Sequence, residues 1–88
     1  MMVFIEVVLD RTTHDAMKRF KATVQLRPEI LECHLVAGGL EYLIKTRVAN
    51  MQAYREFVGS VIWALPGVCE TRTYAVMEEV KNTTMLPI

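Results

Sequence analysis

Serine is almost missing from this chain of 88 residues, with Ser60 the single example. Histidine is nearly as scarce, at His14 and His34. Neither has a carboxylate at a spacing that orients it, so no serine or cysteine nucleophile constellation forms. His14 reads as a solvated neighbour of a helix cap and His34 as a sheet-face or interface residue. Cysteine is limited to Cys33 and Cys69, and their separation is not that of metal ligands. Both fall in apolar-alternating runs and read as reduced core or interface thiols. Metal binding by Cys33 with His34 is disfavoured, because neighbours on a strand point to opposite faces. Charge of one sign is lacking as well: ten basic residues balance ten acidic ones. The basic residues form no run, only scattered pairs such as Lys18-Arg19. A domain that holds nucleic acid unaided carries a basic face, so this balance argues against that role alone, though not beside a DNA-binding partner or domain. No apolar run is long enough to span a bilayer, the Val3–Leu9 stretch included. That stretch also lacks the basic start and cleavage site of a signal peptide, which reads as a cytoplasmic protein without a membrane partner.

Apolar residues are plentiful. They make up 52% of the chain and include six methionines. A domain of this size buries only about 60–65% of the surface its unfolded chain exposes. So rich a composition in one small domain, residues 1–88, implies apolar surface covered by another copy or another chain.

The order of elements follows from periodicity. The run "VFIEVVLD" is rich in β-branched residues and reads as a well-buried strand. Thr12 or Thr13 is placed to cap a helix, with Asp15 near its positive end. Ala16, Phe20 and Val24 recur at helical spacing, and Pro28 stops the helix, so it covers about Thr13 to Leu26. Leu31, Cys33, Leu35 and Ala37 alternate with Glu32, His34 and Val36, which is strand periodicity. After Gly38-Gly39 the alternation resumes, with Tyr42, Ile44, Thr46 and Val48 on one face and Leu43, Lys45 and Arg47 on the other. Two strands around a glycine break form a hairpin. Lys45 and Arg47 are placed to pair with Glu32 or Glu70 on neighbouring strands.

Asn50 caps a second helix, in which Tyr54, Phe57, Val58, Val61, Ile62 and Leu65 form an apolar stripe ended by Pro66-Gly67. Gly59 inside it predicts close packing at that point, Ser60 is placed inside by register, and Trp63 lies off the stripe as an interface candidate. The last run, "VCETRTYAVMEEV", predicts an unusually long strand whose far end pairs elsewhere. Strand, helix, strand, strand, helix, strand is the split β-α-β motif twice over. The expected fold is therefore α+β: a ferredoxin-like βαββαβ sandwich of one antiparallel four-stranded sheet with two helices on one face. Its other face would be bare in a monomer, and face-to-face dimerisation covers it.

Chemistry is thin along this fold. Glu78 and Glu79 point to opposite sides of a strand and make no acid–base pair. Gly38-Gly39 lacks the following helix and the lysine or threonine of a phosphate loop. What remains is a binding site: backbone N–H groups at Gly38–Leu40 could hold a carboxylate, and Glu41 an ammonium. From spacing alone, a plain hairpin is as good a reading.

The segments "ECHLVAGGLEYLIKTRVANMQAYREF" and "LPGVCETRTYAVMEEVKNTT", in that order, closely resemble the C-terminal domain of the Lrp/AsnC family of transcription regulators, the leucine-responsive branch in particular. The resemblance covers Val3 to about Thr84. It implies a ferredoxin-like domain that dimerises through its sheet and assembles further, commonly as an octamer of four dimers. It implies a small amino-acid effector bound between dimers, no cofactor, no enzymatic activity, and DNA contact only through a helix-turn-helix that this chain does not contain. Carried over by position, the effector would meet Ala37, Gly38, Gly39, Leu40, Glu41 and Tyr42 of the turn. Thr71, Thr73 and Tyr74 of a neighbouring dimer's last strand match the rest of such a pocket. The family turn often reads Gly-Asp-x-Asp-Tyr, so Gly39 stands where an acid is common and Glu41 is one methylene longer than aspartate. Two other functions fit the fold: a cofactor-independent dimeric α+β-barrel enzyme using His34 in an enclosed cavity, and a scaffold that assembles without an effector.

Overall fold

Strand β1 (Met2–Leu9) runs through the middle of the molecule, hydrogen-bonded on both edges. The computed structural model describes residues 1–10, 15–37 and 41–82. After β1 come α1 (Ala16–Gln25), the hairpin strands β2 (Glu32–Val36) and β3 (Glu41–Arg47), α2 (Met51–Phe57) and β4 (Val68–Ala75). The strands form one sheet in the order β2-β3-β1-β4, and every pairing is antiparallel. This is the ferredoxin-like α+β sandwich that the periodicity predicts.

Alternation along the strands decides which face is covered. Val3, Ile5, Val7 and Leu9 of β1 are buried, as are Tyr42, Ile44 and Thr46 of β3. Directly opposite partners such as Ile5 and Ile44 share this face. Against it lie Phe20 of α1 and Phe57, Val61, Ile62 and Leu65 from the α2 region. Thr46 is a polar residue within this layer, and its hydroxyl donates to the Glu29 carbonyl at 2.7 Å, which offsets its desolvation. On the other face, β1 leaves Phe4, Glu6 and Val8 half-buried rather than enclosed, so it is covered on one side only.

Caps and breaks follow local chemistry. The Asn50 side chain accepts the Ala53 N–H at 2.9 Å, as expected of a helix cap. Helix α1 begins at Ala16 behind Asp15, whose φ of 65° is in the left-handed region that aspartate tolerates better than most residues. The expected caps Thr12 and Thr13 lie outside the described residues. Gly67 has φ 78°, and a Cβ there would stand 3.3 Å from the Ala16 side chain. Its carbonyl accepts the Asp10 N–H at 2.7 Å, tying the start of β4 to the end of β1.

Three expectations are corrected. Strand β4 ends at Ala75 instead of running on toward Val80. Its partner is the reason: Ala75 lies opposite Val3, and beyond a last bond from the Val76 N–H to Met2 the strand β1 has ended. Helix α2 passes into a π-helical turn over Val58–Ile62, and Gly59 there has nothing within 4 Å of a built Cβ, so no close packing explains it. Ser60 is exposed, with its hydroxyl donating back to the Glu56 carbonyl.

Candidate functional site

Val36, the last residue of β2, and Glu41, the first of β3, lie at the end of the sheet where β1 finishes and β4 starts. Val7 is opposite Tyr42 on one side and Thr71 on the other, so residues 41–42 and 70–72 flank the same two positions of β1. Gly38, Gly39 and Leu40 lie outside the described residues. Ala37 is exposed at the turn.

Alternation then separates the remaining candidates. Tyr42 is buried toward α1, where its ring stands 4.6 Å from that of Phe20 at 42°. Thr71 and Thr73 lie opposite Val7 and Ile5, so they share the helix-covered face and are half-buried. Tyr74 is opposite Phe4 on the open face and half exposed. Glu41, opposite Val36, belongs to the open face and is half-buried.

A small depression of about 40 Å³ brings some of these together, lined by Glu6, Val8, Glu41, Glu70, Thr71 and Arg72. Glu41 and Thr71, from opposite ends of the sequence, meet here, whereas Tyr42, Thr73 and Tyr74 do not line it. Since one water needs about 10–15 Å³, the space is the size of a few waters. Its charged lining residues are Glu6, Glu41, Glu70 and Arg72, and none of the four is in an ion pair among the described residues. Such a lining offers complements to an ammonium and to a carboxylate. Glu6, Glu70 and Arg72 were missed by sequence reasoning. The signal for them was the strand order, since a ferredoxin-like sheet places β1 between β3 and β4.

A second polar cluster sits toward the β2 edge of the open face. Glu32 accepts from Lys45 Nζ at 3.0 Å and lies 3.1 Å from His34 Nε2. Glu32 and Lys45 are the cross-strand pair expected, but the Glu32 contact to His34 was not foreseen. The i, i+2 spacing that puts two residues on one strand face was the available signal. The hydrogen bond from His34 and then that from Lys45 hold the Glu32 carboxyl below its ordinary range. The His34 side chain is 64% exposed on an open sheet, not enclosed in a cavity as an enzyme base would be. Cys33 faces the opposite way, opposite Ile44, and partial burial pushes its thiol pKa up. Among the described residues no group of three His, Cys, Asp or Glu is placed to hold a metal ion. Among them, too, no helix is long and apolar enough to cross a membrane.

These features define an α+β domain of ferredoxin-like topology, with one bare sheet face and a charged depression where the hairpin meets the last strand. A family model, the Lrp/AsnC ligand binding domain, matches residues 2–86, and the chain belongs to that family. It is 51% identical to the leucine-responsive regulatory protein of Salmonella typhimurium across all 88 residues, which make up 54% of that protein. The chain thus spans about half the length of the curated relatives it matches. Among solved structures, a transcriptional regulator in complex with L-Met from Neisseria meningitidis superposes with a TM-score of 0.88 at 32% identity, covering 98% of this chain and 55% of that one. An AsnC family transcriptional regulator from Agrobacterium tumefaciens gives 0.83 at 28%, covering 98% and 56%. The relatives are transcription regulators and not enzymes.

Proposed function

We propose that residues 1–88 form one effector-sensing and assembly domain of a cytoplasmic transcription regulator. Two copies pack through their open sheet faces, and four such dimers make an octamer. A small amino acid sits between dimers, held by the Ala37–Tyr42 turn of one and by Thr71, Thr73 and Tyr74 of the next. DNA is contacted by a helix-turn-helix outside this chain.

The observation that carries this reading is the depression shared by Glu41, Thr71 and Arg72. It offers an ammonium the carboxylates of Glu6, Glu41 and Glu70, and offers a carboxylate the Arg72 guanidinium. Its small volume leaves the amino-acid side chain outside, where another copy covers it. The L-Met in the Neisseria regulator's structure supports an amino-acid ligand. The half-buried Phe4 and Leu43 and the exposed Val36 and Tyr74 support a partner on the open face.

The mechanism is linkage. An effector that prefers one arrangement of dimers shifts the assembly toward it by no more than its differential affinity, commonly about 1–3 kcal/mol. Calorimetry against a panel of amino acids, paired with sedimentation, tests it. At least one amino acid should release heat and change the assembly size. No heat and no size change across the panel would leave only the scaffold.

A further inference from the structure

Two features of a single copy are complementary and unused. The first is the segment after β4. Beyond the Val76 bond to Met2, residues 77–82 pair with no strand among the described residues. Yet the segment keeps apolar side chains, with Met77 100% exposed and Val80 87%. Placing both in water gains nothing for this copy. The segment borders a shallow groove with Met2 and Phe4, so it leaves β4 over the open sheet face. The second feature is the far edge of the sheet. Strand β2 is hydrogen-bonded to β3 alone, and Leu31, Leu35 and Val36 along it are exposed. Two adjoining hollows of about 320 and 260 Å³ run between this edge and α1. Both are lined by Val24 and Cys33, and Lys21 rims the smaller. Exposed edge strands are ordinarily blunted by proline, bulges or charge. The other edge strand, β4, presents Glu70, Thr71, Arg72 and Thr73 in succession, whereas β2 turns Cys33 and Leu35 to its helix side.

We infer that residues 76–82 are an exchanged arm: in the open-face pair they add as an extra strand to β2 of the second copy, whose own arm does the same in return. The inference rests on the open-face packing proposed above, which brings a second sheet to the place where the segment leaves the first. Backbone pairing along a free edge supplies affinity, and alternate side chains supply specificity. Alternation accounts for both apolar residues. Thr71, Thr73 and Ala75 lie on the helix side of β4, so Met77 and Glu79 continue that side and Val80 the other. On the second copy's β2, Met77 then enters the hollow under α1, and Glu79 meets Lys21 at its rim. Val80 turns into the space between the two sheets. A strand wet on one face needs apolar residues of one parity only, and this segment has them in both.

Hydrogen exchange of the whole 88-residue chain tests the arm, read by mass spectrometry below and above the concentration at which sedimentation finds half of it paired. Amides of residues 77–81 should exchange freely below that point and slow by about tenfold or more above it. Met77→Ser combined with Val80→Ser should raise the dissociation constant of the pair by about tenfold or more, since two apolar side chains lose their cover. Unfolding of the same variant at low concentration should match the parent chain, because both positions are exposed in a single copy. Met51→Ser, which alters an exposed methionine at the start of α2, should leave the dissociation constant unchanged. Free exchange at residues 77–81 in an intact pair would overturn the arm and leave the open-face packing standing. Protection at every concentration would also overturn it, by placing the segment on its own copy. So would an unchanged dissociation constant in the double variant, or an equal rise with Met51→Ser. A chain that never pairs would remove the open-face packing and the arm together.

Discussion

Replacing Phe20 with alanine tests how α1 is held to the sheet, and through it how Tyr42 is held beside the candidate pocket. Phe20 is fully buried, and Ala16 is the other buried residue of α1, so one ring supplies most of the helix's anchorage. It also meets the Tyr42 ring at 4.6 Å. Truncating a buried phenylalanine to alanine costs about 3–5 kcal/mol, of which the aromatic pair accounts for roughly 0.5–1.5 kcal/mol. Against a domain stability of about 5–15 kcal/mol, such a loss brings the fold near its limit. Urea unfolding at fixed protein concentration, followed by far-ultraviolet circular dichroism and by Trp63 fluorescence, measures it. Concentration must be held constant because assembly adds to apparent stability. Phe20→Leu keeps much of the apolar volume and should recover most of the loss, separating burial from ring contact. A loss below about 1 kcal/mol in Phe20→Ala would refute the claim that this ring anchors α1.

Three other substitutions have expected outcomes. Gly67→Ala forces a side chain into a left-handed conformation 3.3 Å from Ala16, so it should lose at least about 1–2 kcal/mol in the same unfolding assay. For Glu32, a depressed carboxyl pKa in the folded state means stability present above the unfolded value and lost as pH falls through the folded one. Thermal melts of Glu32→Gln should therefore lie below wild type at neutral pH, with the gap closing only under acid conditions beneath the usual glutamate range. Gly39→Asp restores the acid common in the family turn and should tighten or broaden amino-acid binding by calorimetry; an affinity unchanged across the panel would leave the turn as a turn.

The legible parts of the fold were those governed by one-dimensional patterns. Strand β3 could be assigned face by face because Tyr42, Ile44 and Thr46 alternate with Leu43, Lys45 and Arg47, and all three are buried as expected. The Asn50 cap and the stripe from Tyr54 to Leu65 were equally plain. Less legible was whatever depends on a neighbour's length. The alternation after Ala75 continues toward Val80, yet no strand remains beside it, and periodicity does not report a partner's end. The π-helical turn was invisible because an apolar stripe does not distinguish an α register from one wider turn. At the candidate site, Glu41 and Thr71 were available from the family turn and the last strand. Glu6, Glu70 and Arg72 required the sheet order as well, since they join the site only through lateral pairing with β1.

The ends of β1 set a distance that any signal must cross. The Met1 nitrogen donates to the Val48 carbonyl at 2.8 Å, and the Val76 N–H donates to the Met2 carbonyl at 2.9 Å, so the start of β1 and the end of β4 lie side by side. Glu41 lies toward the opposite end of the eight-residue strand β1, which spans about 26 Å. Met1 is thus remote from Glu41 of the same copy. Under the proposed function, a bound amino acid acts by rearranging whole subunits, with each sheet a stiff lever between Glu41 and Met1.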